Sequence, residues 1–220
     1  MSEIVDELNR LHRQVGVRQV DAGEARTVLL RRTYDAEIAD VWDAVTSPER
    51  ISRWFLPVSG EFKVGGRYQL EGNAGGEILD CQEPDRLRVS WLYGPDPGFS
   101  EVEVRLTPDG EERTVLELEH VAVVPEGFWG QFGPGAVGVG WDLGLLGLAL
   151  HLAGGGMSKE ESEAWQISDE GKAYATRSGE LWGEAYAASG EGERTVASTT
   201  AATIAFYTGA AAAEGGGDQS

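Results

Sequence analysis

Closely spaced turn signals between Gly60 and Val124 are the feature that most restricts how this chain can fold. They separate β-rich runs near residues 60–63, 67–71, 76–82, 86–92, 100–107 and 113–121. The gaps are too short to hold the helices that connect parallel strands, so the six runs are predicted to form an antiparallel sheet. A further β-rich run at 26–33 adds a seventh strand.

Alternation within these runs predicts that the sheet has one covered and one solvated face. In the last run, Leu116, Leu118 and His120 fall on one side, whereas Glu117 and Glu119 fall on the other. Helices must therefore cover the apolar side.

Helical spacing indicates where the covering elements lie. Ile4, Leu8, Leu11 and Val15 predict an amphipathic helix over residues 3–15. Asp35 is a candidate N-cap for a short helix, and Ser47-Pro48 begins a second one. The long covering helix is predicted at about 136–153, where one apolar stripe contains Trp141, Leu145, Leu148 and Leu152.

The C-terminal third of the chain has helical patterns in place of the strand patterns. A capping-box pattern over 158–161 and two weaker helical patterns at 170–188 and 193–207 predict a helical extension. The predicted organisation is an N-terminal helix and linker (1–24), one domain (25–155), the helical extension (156–208) and a disordered tail (209–220). The extension either covers the mouth of a pocket as a lid or mediates a homodimer.

The apolar stretch 135–155 is barely long enough to cross a membrane, and Asp142 within it would be costly in lipid. A buried core helix is the favoured interpretation, so no membrane insertion is expected.

The formal net charge of −19 disfavours binding to nucleic acid or to anionic lipid. With Cys81 as the only cysteine and a start that does not resemble a signal peptide, we expect a cytoplasmic protein without a disulfide. No spacing typical of a metal, nucleotide or other cofactor site is found, so neither a metal nor a cofactor is expected.

Several separated pieces of the chain resemble one known family. They are RRTYDAEIADVWDAVTSPERISRWFLP, GGRYQLEGNAGGEILDCQEPDRLRVSW and GWDLGLLGLALHL, in that order. This order resembles the activator-of-heat-shock-protein-90-ATPase-homologue-like branch of the SRPBCC (START-like) superfamily, including actinobacterial members with C-terminal extensions. The resemblance implies an α+β helix-grip fold of the START/Bet v 1 type, with a seven-stranded curved antiparallel sheet around a long C-terminal helix.

A helix-grip fold can leave an apolar cavity between the sheet and the long helix. The candidate ligand-binding residues are therefore those expected to point there: Trp54, Phe55, Tyr68, Trp91, His120, Trp141, Asp142 and Leu145. For the rings, filling the core is an equally good explanation. His120 is either an acid/base or ligand-bonding group or a core histidine, and Asp142 either bonds a ligand, pairs with an arginine such as Arg53, or lies at a helix start.

Three functions remain open from the sequence. The first is binding of a small hydrophobic or aromatic ligand as a carrier or sensor. The second is a cyclase- or lyase-type enzyme that uses His120, Asp142 or Tyr68, although no catalytic pairing is visible. The third is a co-chaperone partner, as the family resemblance suggests.

Overall fold

A computed structural model describes residues 3–210 except Asp96. These residues have an α+β fold in which eight antiparallel strands form a sheet of order β1-β2-β8-β7-β6-β5-β4-β3. The strands are β1 (His12–Val20), β2 (Gly23–Tyr34), β3 (Val58–Gly60), β4 (Arg67–Leu70), β5 (Gly75–Gln82), β6 (Arg86–Ser90), β7 (Ser100–Pro108) and β8 (Thr114–Ala122). The helices are α1 (Glu3–Asp6), α2 (Ile38–Thr46), α3 (Pro48–Trp54), α4 (Glu126–Phe132), α5 (Gly135–Leu152), α6 (Lys159–Ile167), α7 (Asp169–Ala188) and α8 (Glu193–Thr208), and a 3₁₀ turn covers Glu7–Arg10.

The sheet has one strand more than predicted, and this additional strand, β1, corrects the prediction for the N-terminus. The helix predicted over 3–15 is wrong beyond Arg10, because β1 begins at His12 and pairs with β2. Leu11, Arg13 and Val15 alternate inward along this extended chain, and the inward arginine hides the strand pattern. The sheet therefore starts within the stretch 1–24 that was predicted to be helix and linker.

The other differences from the sequence predictions are small. The helix α2 starts at Ile38, and its N-cap is Glu37 rather than Asp35, without a side-chain capping bond. The third strand lies at Val58–Gly60, just before the predicted run 60–63. The Ser158 capping box is confirmed. Of the predicted disordered tail, residues 211–220 lie outside the described part of the chain.

The helix α5 is the centre of the fold because both of its sides are covered. One side faces the sheet, where the Tyr34 hydroxyl donates to the carbonyl of Leu145 at 3.2 Å. The other side packs against α7 and α8, so closely that a Cβ at Gly138 would meet the Trp182 ring at 2.2 Å. By length and composition alone α5 passes as a membrane span, yet half of it is buried inside the protein, as in a core helix.

Candidate functional site: an apolar cavity under the central helix

A cavity of about 190 Å³ lies between α5, the sheet and the α2–α3 region. Its floor is formed by inward side chains of the strands, because every second residue of a strand points to the same face. A bulge between Ile78 and Asp80 shifts the alternation of β5, so that Ile78 and Cys81 both line the cavity. The full lining is Val45, Thr46, Ile51, Trp54, Phe55, Val58, Phe62, Lys63, Tyr68, Leu70, Ile78, Cys81, Leu87, Val89, Trp91, Val102, Val104, Leu116, Leu118, Trp141, Leu145 and Leu148.

Five aromatic side chains that the sequence placed on the covered face form one connected wall. Trp141 contacts two of the other rings, with ring centroids 4.9 Å from Trp91 and 6.4 Å from Phe55. Trp54 lies 5.5 Å from Phe55, and Tyr68 lies 6.5 Å from Trp91. All five line the cavity, together with Leu145, so six of the eight candidate residues are brought together.

The polar atoms of two of these rings are bonded to the backbone. The indole N–H of Trp54 donates to the carbonyl of Ala44 at 2.9 Å, and the Tyr68 hydroxyl donates to the carbonyl of Ser90 at 2.8 Å. Burial raises the pKa of Tyr68 above its ordinary value of 10.0. Tyr68 is therefore a neutral wall residue and a poor general base.

His120 lies behind the wall and does not line the cavity. It is 8% exposed, and its Nδ1 accepts from the Trp141 indole N–H at 3.2 Å. That bond requires the tautomer with hydrogen on Nε2, which is 2.8 Å from Ser100 Oγ and donates to it. Burial lowers the pKa of His120 from 6.5 to about 4. His120 thus fixes the orientation of Trp141 as a neutral, fully bonded side chain.

Asp142 points away from the cavity, toward the N-terminal hairpin and the extension. Arg13 Nε lies 3.2 Å from both carboxylate oxygens and Nη2 lies 3.1 Å from Oδ2. Ser178 and Trp182 of α7 also donate to Oδ2. Burial raises the pKa of Asp142, and Arg13, Ser178 and Trp182 offset part of that rise. The suggested pairing with Arg53 is wrong, and the carboxylate is already fully engaged within the protein.

The sequence did not indicate that Arg13 pairs with Asp142, because Arg13 was assigned to a helix. It also did not indicate which residues form the mouth of the cavity. Phe62, 44% exposed, and the exposed Lys63 lie at that mouth, in a stretch read only as strand and turn. No described residue of the extension lines the cavity, and α7 packs against α5 at Gly138 and Asp142, so the structure gives the lid hypothesis no support. A homodimer through the extension stays a prediction.

Within residues 3–210 without Asp96, no three histidine, cysteine or acidic side chains are grouped closely enough to hold a metal ion. The lining is almost entirely hydrocarbon and aromatic surface. Such a space stabilises a guest by excluding water and by ring contacts, and the described lining residues include no general acid paired with a base.

Comparison with known proteins gives a family and close structural relatives. Residues 35–149 match the family model described as Activator of Hsp90 ATPase homolog 1-like protein. The crystal structure of CalU16 from Micromonospora echinospora is 39% identical, with a TM-score of 0.57 and coverage of 76% of this chain and 98% of CalU16. The solution structure of CalU16 gives 36% identity, a TM-score of 0.67 and coverage of 81% and 96%.

A more distant structure, protein MLL2253 from Mesorhizobium loti, is 26% identical, with a TM-score of 0.50 and coverage of 59% of this chain and 97% of that one. No curated protein matches the chain.

Proposed function

The chain belongs to the family of Activator of Hsp90 ATPase homolog 1-like proteins, and from this premise we propose that it binds a small apolar or aromatic molecule as a carrier or sensor. The observation that carries the proposal is the cavity of about 190 Å³ with five aromatic side chains in its wall. Unfilled space of this size is unusual inside close-packed proteins. An apolar cavity of about 150 Å³ engineered in another protein binds benzene, so a guest of one or two rings suits this one.

The arrangement of titratable groups favours binding over an acid/base reaction. His120 is separated from the cavity by Trp141, and both of its ring nitrogens are bonded. Asp142 is engaged by Arg13 on the far side of α5. Tyr68, the third candidate for catalysis, donates a hydrogen bond to a backbone carbonyl. Among the residues that the structure describes around the cavity, none favours the cyclase or lyase alternative.

Thermal unfolding in the presence of compact apolar ring compounds tests the proposal. Indane or naphthalene at about 100 times Kd should stabilise the protein by about 2.7 kcal/mol, which raises Tm by roughly 5–10 °C. Quenching or shifting of tryptophan fluorescence should follow the same binding curve, since Trp91 and Trp141 form the wall.

Filling the cavity provides the matched control. Val102 is 4% exposed and lines the cavity, so Val102→Phe should abolish the Tm increase. Val17 is 53% exposed on β1, so Val17→Phe adds the same ring at the surface and should retain the full response. A Tm increase that survives Val102→Phe, or the absence of any increase with every ring compound, would contradict the proposal. Stoichiometric capture of a chaperone by the unliganded protein would instead favour the co-chaperone alternative.

A further inference from the structure

The three tryptophans of the cavity wall differ in what their N–H groups bond to. Trp54 donates to the Ala44 carbonyl and Trp141 donates to His120. Trp91 makes no side-chain hydrogen bond to any residue that the structure describes, although its backbone N–H donates to the carbonyl of Ser100 at 2.8 Å. Trp91 therefore contributes the one tryptophan donor of the wall that remains without a partner in the described chain.

This N–H belongs to a side chain that lines the cavity, and it is not sealed in the core. Trp91 is only partly buried, and among the described residues the fully buried side-chain atoms without partners belong to Arg32 and Arg86. Its ring lies 4.9 Å from Trp141 and 6.5 Å from Tyr68, in the middle of the aromatic wall. A donor at the edge of a cavity bonds water, and a guest that takes the place of this water must supply an acceptor to replace it.

The other donors of the lining are poor competitors for a neutral guest. The Tyr68 hydroxyl is committed to Ser90, and the Thr46 hydroxyl donates to the carbonyl of Trp42 at 2.7 Å. The Lys63 side chain is 72% exposed, and its ammonium lies 2.9 Å from Glu61 Oε2. A thiol such as that of Cys81 is a weak donor. Among the described lining residues, Trp91 is thus the one with a strong neutral donor that has no partner in the protein.

We infer that the guest is an apolar ring compound with one hydrogen-bond acceptor, such as a ketone or quinone oxygen, and that Trp91 donates to this oxygen. The inference rests on the proposed function and defines the class of ligand for the same cavity. A pure hydrocarbon would leave the Trp91 N–H without its water and without a replacement, which costs more than an ordinary hydrogen bond gains. Trp91 is therefore the residue that determines specificity.

The test uses two probes of nearly equal shape, indane and 1-indanone, and two variants. The ratio of the indane Kd to the 1-indanone Kd is measured for the parent protein, for Trp91→Phe and for Trp54→Phe. Comparing ratios removes the different solvation of the two probes in water, because that difference is the same for every protein. We expect the ratio to fall about ten-fold in Trp91→Phe and to change far less in Trp54→Phe, because the Trp54 N–H donates to Ala44.

A spectroscopic readout covers the case in which a variant is too unstable to titrate. In the parent protein, the indole N–H resonance of Trp91 should move downfield on binding 1-indanone and much less on binding indane. Equal ratios in all three proteins, together with an unmoved Trp91 resonance, would overturn the inference while leaving the proposed function intact. If neither probe binds any of the proteins, the proposed function fails for guests of this size and the inference fails with it.

Discussion

The two sides of α5 differ in how closely they are packed. Toward the extension, Asp142 is held by Arg13 and by two donors of α7, and Gly138 lets the Trp182 ring approach the backbone. Toward the sheet, Trp141 and Leu145 border unfilled space. Dense packing on one side stabilises the helix, so the other side is free to leave room for a guest. Substitutions on the extension side should therefore change stability, and those on the cavity side should mainly change binding.

The largest effect is expected from the buried ion pair. Arg13→Met leaves the Asp142 carboxylate buried without its cation, because Arg13 and Asp142 have side chains that are 5% and 0% exposed. We expect the free energy of unfolding to fall by about 3–5 kcal/mol, measured by urea denaturation. Ligand affinity of the folded fraction should change little, since neither residue lines the cavity.

A double variant separates two contributions to the lost stability: the lost attraction between Arg13 and Asp142, and the cost of a buried Asp142 charge without a partner. Arg13→Met with Asp142→Asn should be more stable than Arg13→Met alone, because the amide removes the uncompensated charge. If the double variant is the less stable of the two, Asp142 is not paired as the structure shows.

The second largest effect is the pH dependence of stability that comes from His120, which supports the cavity wall. Unfolded His120 takes up a proton near its ordinary pKa of 6.5, whereas the folded protein keeps it neutral until about pH 4. Its contribution to stability is therefore complete above pH 6.5 and is lost as the pH falls toward 4, by about 3 kcal/mol in total. The free energy of unfolding of the parent protein should fall by that much more than that of His120→Gln between pH 7 and pH 4.

The glutamine variant keeps an acceptor for Trp141 but does not titrate. If both proteins lose the same stability on acidification, His120 is not the buried neutral group described here.

The smallest effects come from adding one methyl group on each side of α5. A Cβ at Gly138 meets the Trp182 ring at 2.2 Å, so Gly138→Ala should destabilise the protein by about 2 kcal/mol despite alanine's higher helix propensity. A Cβ at Gly144 lies 3.5 Å from Phe55, so Gly144→Ala should be neutral or stabilise by up to about 1 kcal/mol. Thermal unfolding of the two variants compares the sides directly, and equal losses would mean that they are packed alike.

The sheet and the aromatic wall were predictable because they follow from local patterns. Turn residues and two-residue alternation mark the meander from β4 to β8, and helical spacing places Trp141, Leu145 and Leu148 on one side of α5. The side of the sheet on which His120 lies follows from the same alternation. These signals involve residues only a few positions apart.

The rest depends on partners far apart in sequence. Nothing near Arg13 in the sequence indicates that it pairs with Asp142, which lies 129 positions later. The helical spacing of apolar residues over 3–15 also concealed β1, to which Arg13 belongs. The opposite roles of Trp54 and Trp91 are equally hidden, since they depend on whether a carbonyl such as that of Ala44 lies within reach of the N–H. Sequence patterns indicate which face a side chain occupies but not which atom it meets there.

The position of Asp142 between partners from both ends of the described chain has a consequence for biosynthesis. Arg13 leaves the ribosome early, whereas Ser178 and Trp182 follow Asp142 by 36 and 40 residues. At ribosomal elongation rates the apolar α5 emerges seconds before α7, which covers it, is complete. During that interval the nascent chain exposes an apolar segment whose acid, Asp142, lacks the donors of α7, so covering of α5 by α7 is a late step of folding.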